Sequence, residues 1–505
     1  MNQTTVQGIE SSKRMAFNLI CSTAAHFLSA VIAFVITPFL IAKVGMEAYG
    51  FYPISSELMA FFGLFTGIVN STAGRYITVE DARGNGHEAS KYFSTVFFSN
   101  VFLCALLLIP VGLFVSFVDK ILSVPAGLGG EIRVFFGLTL ASVIVNALAT
   151  AFGSAYSVSN RMDLRSAQDF IAVLLKAAIL FGLLGGGFSS SIISIGIALL
   201  ISNAAGAFIQ FLMCRRLTPE LTLSWRNVSR AHAGRVFASG LWYTLDRLGA
   251  FLMTGGLLIL SNMLFTAEGV GVYSVSVTAS RAMSGVLLMV AGVFLPVTAK
   301  HFARGEQDRL RADIIRDQKV TGFFAAVGVA FAIGFCDEFF TLWLSGDNSQ
   351  LLRVLTILSM LPLVAIAAAL PIVNLGVVMN RMRRLSLLFV GSGLLTLATV
   401  ITVSCFTKAG VLGVAVISSA AQLVWYAVLA PLFAARLLGA RARDFYAPML
   451  KSFLACGLSV TLIFVVKNVS PVDTWLRLIV MGGACLVVSL VLSFLCIFGK
   501  PKFKI

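Results

Sequence analysis

Lys176, Arg247, Arg281 and Asp246 each interrupt a long apolar stretch of this sequence. Guanidinium and ammonium groups gathered in a poorly hydrated cavity attract phosphate, arginine in a two-pronged geometry. A carboxylate among them can exchange a proton or pair with one of them. A helix rises about 1.5 Å per residue, which puts Asp246 and Arg247 roughly 18 Å into their stretch, Arg281 roughly 18 Å and Lys176 roughly 15 Å. In a hydrocarbon core about 30 Å thick, all four lie near mid-depth. A charge there costs about 2.5–3.5 kcal/mol and should face a partner or a wet cavity. Two readings stay open. In one, the cations line a cavity that receives an anionic substrate. In the other, Asp246 neutralises Arg281 or Lys176 and locks helices together. Adjacent Asp246 and Arg247 point about 100° apart and pair poorly with each other. Three cations against one mid-depth carboxylate favour the cavity.

The neighbouring residues extend this pattern. Ser274, Arg281, Ser284 and Gly285 share one helix face, as do Ser239, Trp242, Tyr243 and Asp246. Ser56, Gly63, Gly67, Asn70 and Gly74 form a small, polar stripe, suited to close helix packing more than to lining a cavity. Arg75 stands at the inner mouth, where it guides an anion or anchors its helix. Glu57, roughly 6 Å below the outer surface, and Asp169, near the inner one, are expected at the interfaces, where either could titrate during transport. Pro38 and Pro371 can loosen the backbone ladder of their helices.

The elements that must position these groups are about fourteen apolar runs, each long enough to cross a bilayer as a helix. They lie near 15–42, 53–79, 92–118, 134–159, 166–187, 190–214, 236–262, 269–299, 320–336, 354–379, 385–407, 411–435, 452–466 and 478–499. With the N-terminus inside, 28 of the 38 Lys and Arg fall on the inner side, 7 on the outer and 3 within the membrane. That asymmetry predicts cytoplasmic termini. The first run is too long for a signal-peptide core and reads as a retained helix.

With 58% apolar and 12% charged residues, the chain is a polytopic integral membrane protein. Its net charge of +16 reflects inner loops facing anionic lipid, not nucleic-acid binding. The eight cysteines show no C-x-x-C pair and read as small apolar residues. The four histidines have no metal-binding spacing, there is no phosphate-binding ATP loop, and no loop is large enough for a catalytic domain. The expectation is a non-enzyme without cofactor or metal.

An internal repeat organises the spans. Glu47, Gly50, Tyr52 and Ser55 recur as Glu268, Gly271, Tyr273 and Ser276, at an offset of 221. Asn160, Arg161, Met162 and Ser166 recur as Asn380, Arg381, Met382 and Ser386, at an offset of 220. Six helices separate the copies, so the halves are parallel, and parallel repeats meet at an axis along the membrane normal with a substrate site between them. The expected fold is all-α: two parallel six-helix bundles, 1–217 and 218–440, around a central cavity, with two further helices and a cytoplasmic tail at 441–505.

The run Thr37-Pro38-Phe39-Leu40-Ile41-Ala42-Lys43-Val44-Gly45-Met46-Glu47-Ala48-Tyr49-Gly50 resembles the N-terminal signature of bacterial polysaccharide transporters, the oligosaccharide-lipid flippases for O-antigen, capsule and exopolysaccharide units. Helix number, repeat layout and loop lengths extend the resemblance over the whole chain. It implies a V-shaped pair of lobes in the bacterial inner membrane and a cationic lumen for an undecaprenyl-diphosphate-linked glycan. The lumen role falls to Lys176, Arg247 and Arg281, with Arg75 at the mouth, and ion coupling by proton or sodium to Asp246 or Glu57. It also implies a glycan polymerase and its chain-length regulator as partners. Two alternatives share the fold: an ion-coupled drug or metabolite antiporter, disfavoured by the mostly positive mid-depth charge, and a lipid II flippase, which charge alone does not separate.

Overall fold

The computed structural model describes residues 21, 24, 25, 27–29, 31–186, 191–294, 298, 300–302, 304–343, 349–379, 382–407, 409–469 and 472–499. Every regular element among them is a helix. Thirteen are long and apolar enough to cross a membrane alone: α1 (Phe27–Val44), α2 (Met46–Ala82), α3 (Gly86–Ser116), α4 (Gly129–Val158), α5 (Met162–Gly185), α6 (Ile193–Leu217), α7 (Arg230–Leu264), α8 (Glu268–Gly292), α10 (Gln350–Gly376), α11 (Arg383–Phe406), α12 (Gly410–Leu438), α13 (Ala442–Val469) and α14 (Trp475–Phe498). The fourteenth, α9 (Gln307–Gly334), qualifies together with Cys336–Trp343, to which it is bent by 60°. The chain is therefore an all-helical, multi-pass membrane protein. The starts of the expected first span and the end of the eighth, near 295–299, lie outside the described residues, as do Asn380 and Arg381 of the second repeat.

Helices overrun the apolar stretches that announced them. The charged segment 300–319, expected as a loop, is helical from Gln307. Ion pairs hold it: Arg309 to Glu306, Arg316 to Asp313, Arg311 to Asp444 and His301 to Asp313. Outside the apolar core, charged residues three or four apart sustain a helix that hydropathy alone would end. The segment after α6 is not free either. Ser90 and Ser94 on α3 bond the backbone of Glu220, Thr222 and Ser224, and the Thr95 hydroxyl accepts from Ser229 N. On the expected outer side, Arg133 bonds Asp119 at 2.8 Å and holds its carboxyl below the usual carboxylate range.

The chain forms two compact units, Met1–Phe251 and Leu252–Ile505. The division lies inside α7, next to the helix break at Thr254. In the first unit α2 packs on α3, and α4 on α3 and α6, with α5 against α6. Gly196 on α6 lets Phe135 and Leu138 of α4 approach. In the second unit α9 packs against α10, α13 and α14. Its glycines set the spacing: a Cβ at Gly322 would lie 2.1 Å from Ser452 Oγ, and one at Gly334 2.7 Å from Ile463. α13 and α14 pack against α9 within this unit. α14 buries Gly482, Cys485, Ser489 and Ser493, and exposes Leu476, Ile479, Val480 and Val487. Small and polar residues inward with large apolar ones outward is how a helix packs when lipid surrounds it.

The repeat has a local structural counterpart. Ser55 donates to Tyr52 O at 2.8 Å, and its repeat partner Ser276 donates to Tyr273 O at 2.8 Å; both serines are fully buried. Asn160 has a φ of 51°, a left-handed turn that asparagine tolerates. The helix runs on through Pro371, and the break in α10 falls at Leu361 instead, ahead of Pro362. Wide π-helical turns occur at Phe181–Gly185 in α5 and Val424–Leu429 in α12.

Candidate functional site

Lys176 lies on α5 one turn before the π-helical segment and is half-buried. Its Nζ donates to the Tyr52 hydroxyl on α2 at 3.4 Å. Tyr52 is held at the top of α2, where Gly45 (φ 83°) and Gly50 turn the chain into the helix. Arg247 on α7 meets its partner one turn back: Nη2 donates to the Tyr243 hydroxyl at 3.0 Å, and the guanidinium carbon lies 5.1 Å from the ring centre. The spacing i, i+4 places both on one exposed strip. In the first unit, then, two mid-helix cations rest on tyrosine hydroxyls. Among the described residues neither has a carboxylate partner, and Asp246 and Lys176 do not pair. Asp246 is half-buried and makes no hydrogen bond or ion pair among the described residues.

The strip around Asp246 is only partly open. Ser239 bonds Thr72 on α2 at 3.0 Å. One residue on, α7 crosses α2 at Gly240, where an added Cβ would lie 1.8 Å from Ile68 O. Thr244 sits 3.7 Å from the Cβ position of Gly67. Of the α2 stripe, Gly67 and Gly74 face neighbouring helices while Gly63 faces open space, so packing and lining are mixed along it.

Arg281 is exposed on α8 of the second unit. The face expected around it divides: Ser274 is fully buried and bonds Gly271 O, whereas Gly285 is exposed. Ser280 and Ser359 tie this helix to α10 through backbone carbonyls, at 3.0 and 3.4 Å. Glu57 is buried within the protein, at 3% exposure. It lies in the second turn of the helix that begins at Phe51, after the short helix Met46–Tyr49. Asp169 is exposed. Arg75 is exposed too, and lines a cavity of about 580 Å³ enclosed by α2, α4, α5 and α6. Sequence reasoning missed Arg165 and Gln210, which line the same cavity.

The chain thus has many membrane-length helices, two of which carry cations held by tyrosine hydroxyls. Its fold is that of the lipid II flippase MurJ in an inward closed conformation, with a TM-score of 0.69 at 14% identity, over 94% of this chain and 99% of that one. An inward-facing multidrug resistance MATE family transporter of the MOP superfamily matches with a TM-score of 0.61 at 14% identity, over 83% of this chain and 94% of that one. The uncharacterized membrane protein EpsK of Bacillus subtilis (strain 168) is 22% identical over 489 residues, 97% of this chain and 96% of its own length. Residues 16–302 match the polysaccharide biosynthesis protein family, and the chain belongs to it. It is a multi-pass membrane protein of that family.

Proposed function

We propose that the chain flips undecaprenyl-diphosphate-linked oligosaccharide units, of the O-antigen, capsule or exopolysaccharide type, across the bacterial cytoplasmic membrane by alternating access. The observation that carries this is the state of Lys176 and Arg247, cations deep in their helices that are held by hydroxyls and so keep their charge for an anionic head. Arg281 joins them as a substrate contact, with Arg75 at the mouth. The 28-to-7 charge asymmetry supports cytoplasmic termini, so Arg75 lies on the inner side, where such lipids are assembled. A cytoplasmic reporter fused after residue 505 should be active, and a periplasmic one near residue 346 likewise. An inactive cytoplasmic fusion would reverse the inner and outer assignments.

With no ATP loop, the drive is an ion gradient, the membrane potential or removal of product. One charge crossing the potential is worth about 2.3 kcal/mol per 100 mV, and an anion leaving a negative interior is helped by it. Asp246, half-buried beside Arg247, is the leading group for coupling a proton or sodium ion, and buried Glu57 the second. Surface glycan in cells carrying Asp246→Asn at matched expression should fall at least about tenfold, on the scale of one buried charged contact. Wild-type output would remove Asp246 from coupling. A glycan polymerase and its chain-length partner would receive the product. The function itself is tested by deletion of the gene: surface glycan should disappear and return with the wild-type chain, whereas unchanged glycan with altered sensitivity to cationic drugs would support the antiporter instead.

A further inference from the structure

We propose that the cavity between α2, α4, α5 and α6 is an entry site for the sugar-diphosphate head, with Arg75 and Arg165 as its phosphate ligands. This rests on the flippase reading above. The two guanidiniums come from different helices, α2 and α5, and both line the one cavity. Neither makes a hydrogen bond or ion pair among the described residues. No carboxylate lines the cavity. Two arginines facing one space attract an anion, and their forked donors match phosphate oxygens.

The position suits a lipid-borne head. Arg75 lies seven residues before the end of α2, Gln210 seven before the end of α6, and Arg165 three after the start of α5. All three are within roughly 10 Å of the same membrane face, at the depth of lipid phosphates. The remaining walls suit a sugar. Hydroxyls of Ser71, Thr78, Thr150 and Ser157 line them, and Asn100 fixes Asn70 through a 2.8 Å bond. The Oε1 of Gln210 is buried and has no hydrogen-bond partner among the described residues. An unpaired buried acceptor is costly, and a sugar hydroxyl would satisfy it. Gly74 and Gly153 keep the space open: a Cβ at Gly153 would lie 3.3 Å from Gln210 Oε1. A volume of about 580 Å³ is within the range of small-molecule sites.

Native mass spectrometry of the purified full-length chain in detergent tests this. The probes are undecaprenyl diphosphate bearing one N-acetylglucosamine, undecaprenyl diphosphate alone, phosphatidylglycerol and inorganic pyrophosphate. The wild type should bind the glycosylated lipid most tightly. Arg75→Gln with Arg165→Gln should weaken it by about tenfold or more, and Arg165→Lys should weaken it less. Gln210→Leu should erase the preference for the glycosylated over the bare diphosphate lipid. Arg215→Gln, a cation near the same face that does not line the cavity, should bind as wild type. Equal binding by the double Gln variant would overturn the site while leaving the flippase reading intact. Equal binding of phosphatidylglycerol would make it a general headgroup site and overturn the sugar-diphosphate assignment. A wild type that binds no diphosphate lipid would instead sink the flippase reading.

Discussion

Arg247→Ala should abolish surface glycan while the protein reaches the membrane in normal amounts. Its partner is the neutral hydroxyl of Tyr243, so truncation strands no opposite charge. Removing one member of a buried ion pair would behave differently, destabilising the fold by about 3–5 kcal/mol. Abundance and export should therefore separate in this variant. Arg247→Lys should keep partial export, because ammonium still attracts phosphate but lacks the fork. The same logic resolves the two readings of Arg281. If it binds substrate, Arg281→Ala loses export, and adding Asp246→Asn restores nothing. If it pairs with Asp246, each single variant loses protein and the double variant recovers it. Immunoblots of membranes beside glycan gels distinguish the two.

Gly240→Ala should be the most damaging small substitution in the first unit. Its methyl group would lie 1.8 Å from the Ile68 carbonyl oxygen, and backbone cannot swing aside as a side chain can. The α7–α2 crossing must open, at a cost of about 3 kcal/mol or more. Membrane abundance should fall several-fold, since losses of about 1–2 kcal/mol already change it that much. Gly63→Ala on the same α2 stripe faces open space and should leave abundance unchanged. Equal amounts of the two proteins in membranes would mean that this crossing does not support the fold.

Span number and class were legible because crossing a bilayer demands long apolar runs, and little else in a sequence imitates them. The ends were not. Hydropathy stops at the first charges, whereas α9 continues back to Gln307 on ion pairs such as Arg316–Asp313. Lys176 and Arg247 stood out as charges in apolar runs, but their tyrosine partners did not. Tyr243 is one turn from Arg247 and could have been inferred. Tyr52 is 124 positions from Lys176, and only the fold brings them together. Arg165 escaped because a loop-end arginine looks like any other inner charge until the cavity beside it is seen.

Reconstituted liposomes provide the most direct measurement. Purified wild-type chain should carry a fluorescent undecaprenyl-diphosphate oligosaccharide from one leaflet to the other, read as loss of protection from an added quencher. Proteoliposomes with Arg247→Ala or Arg281→Ala should match empty liposomes. Translocation at the wild-type rate by both alanine variants, or none by the wild type above empty liposomes, would contradict the account.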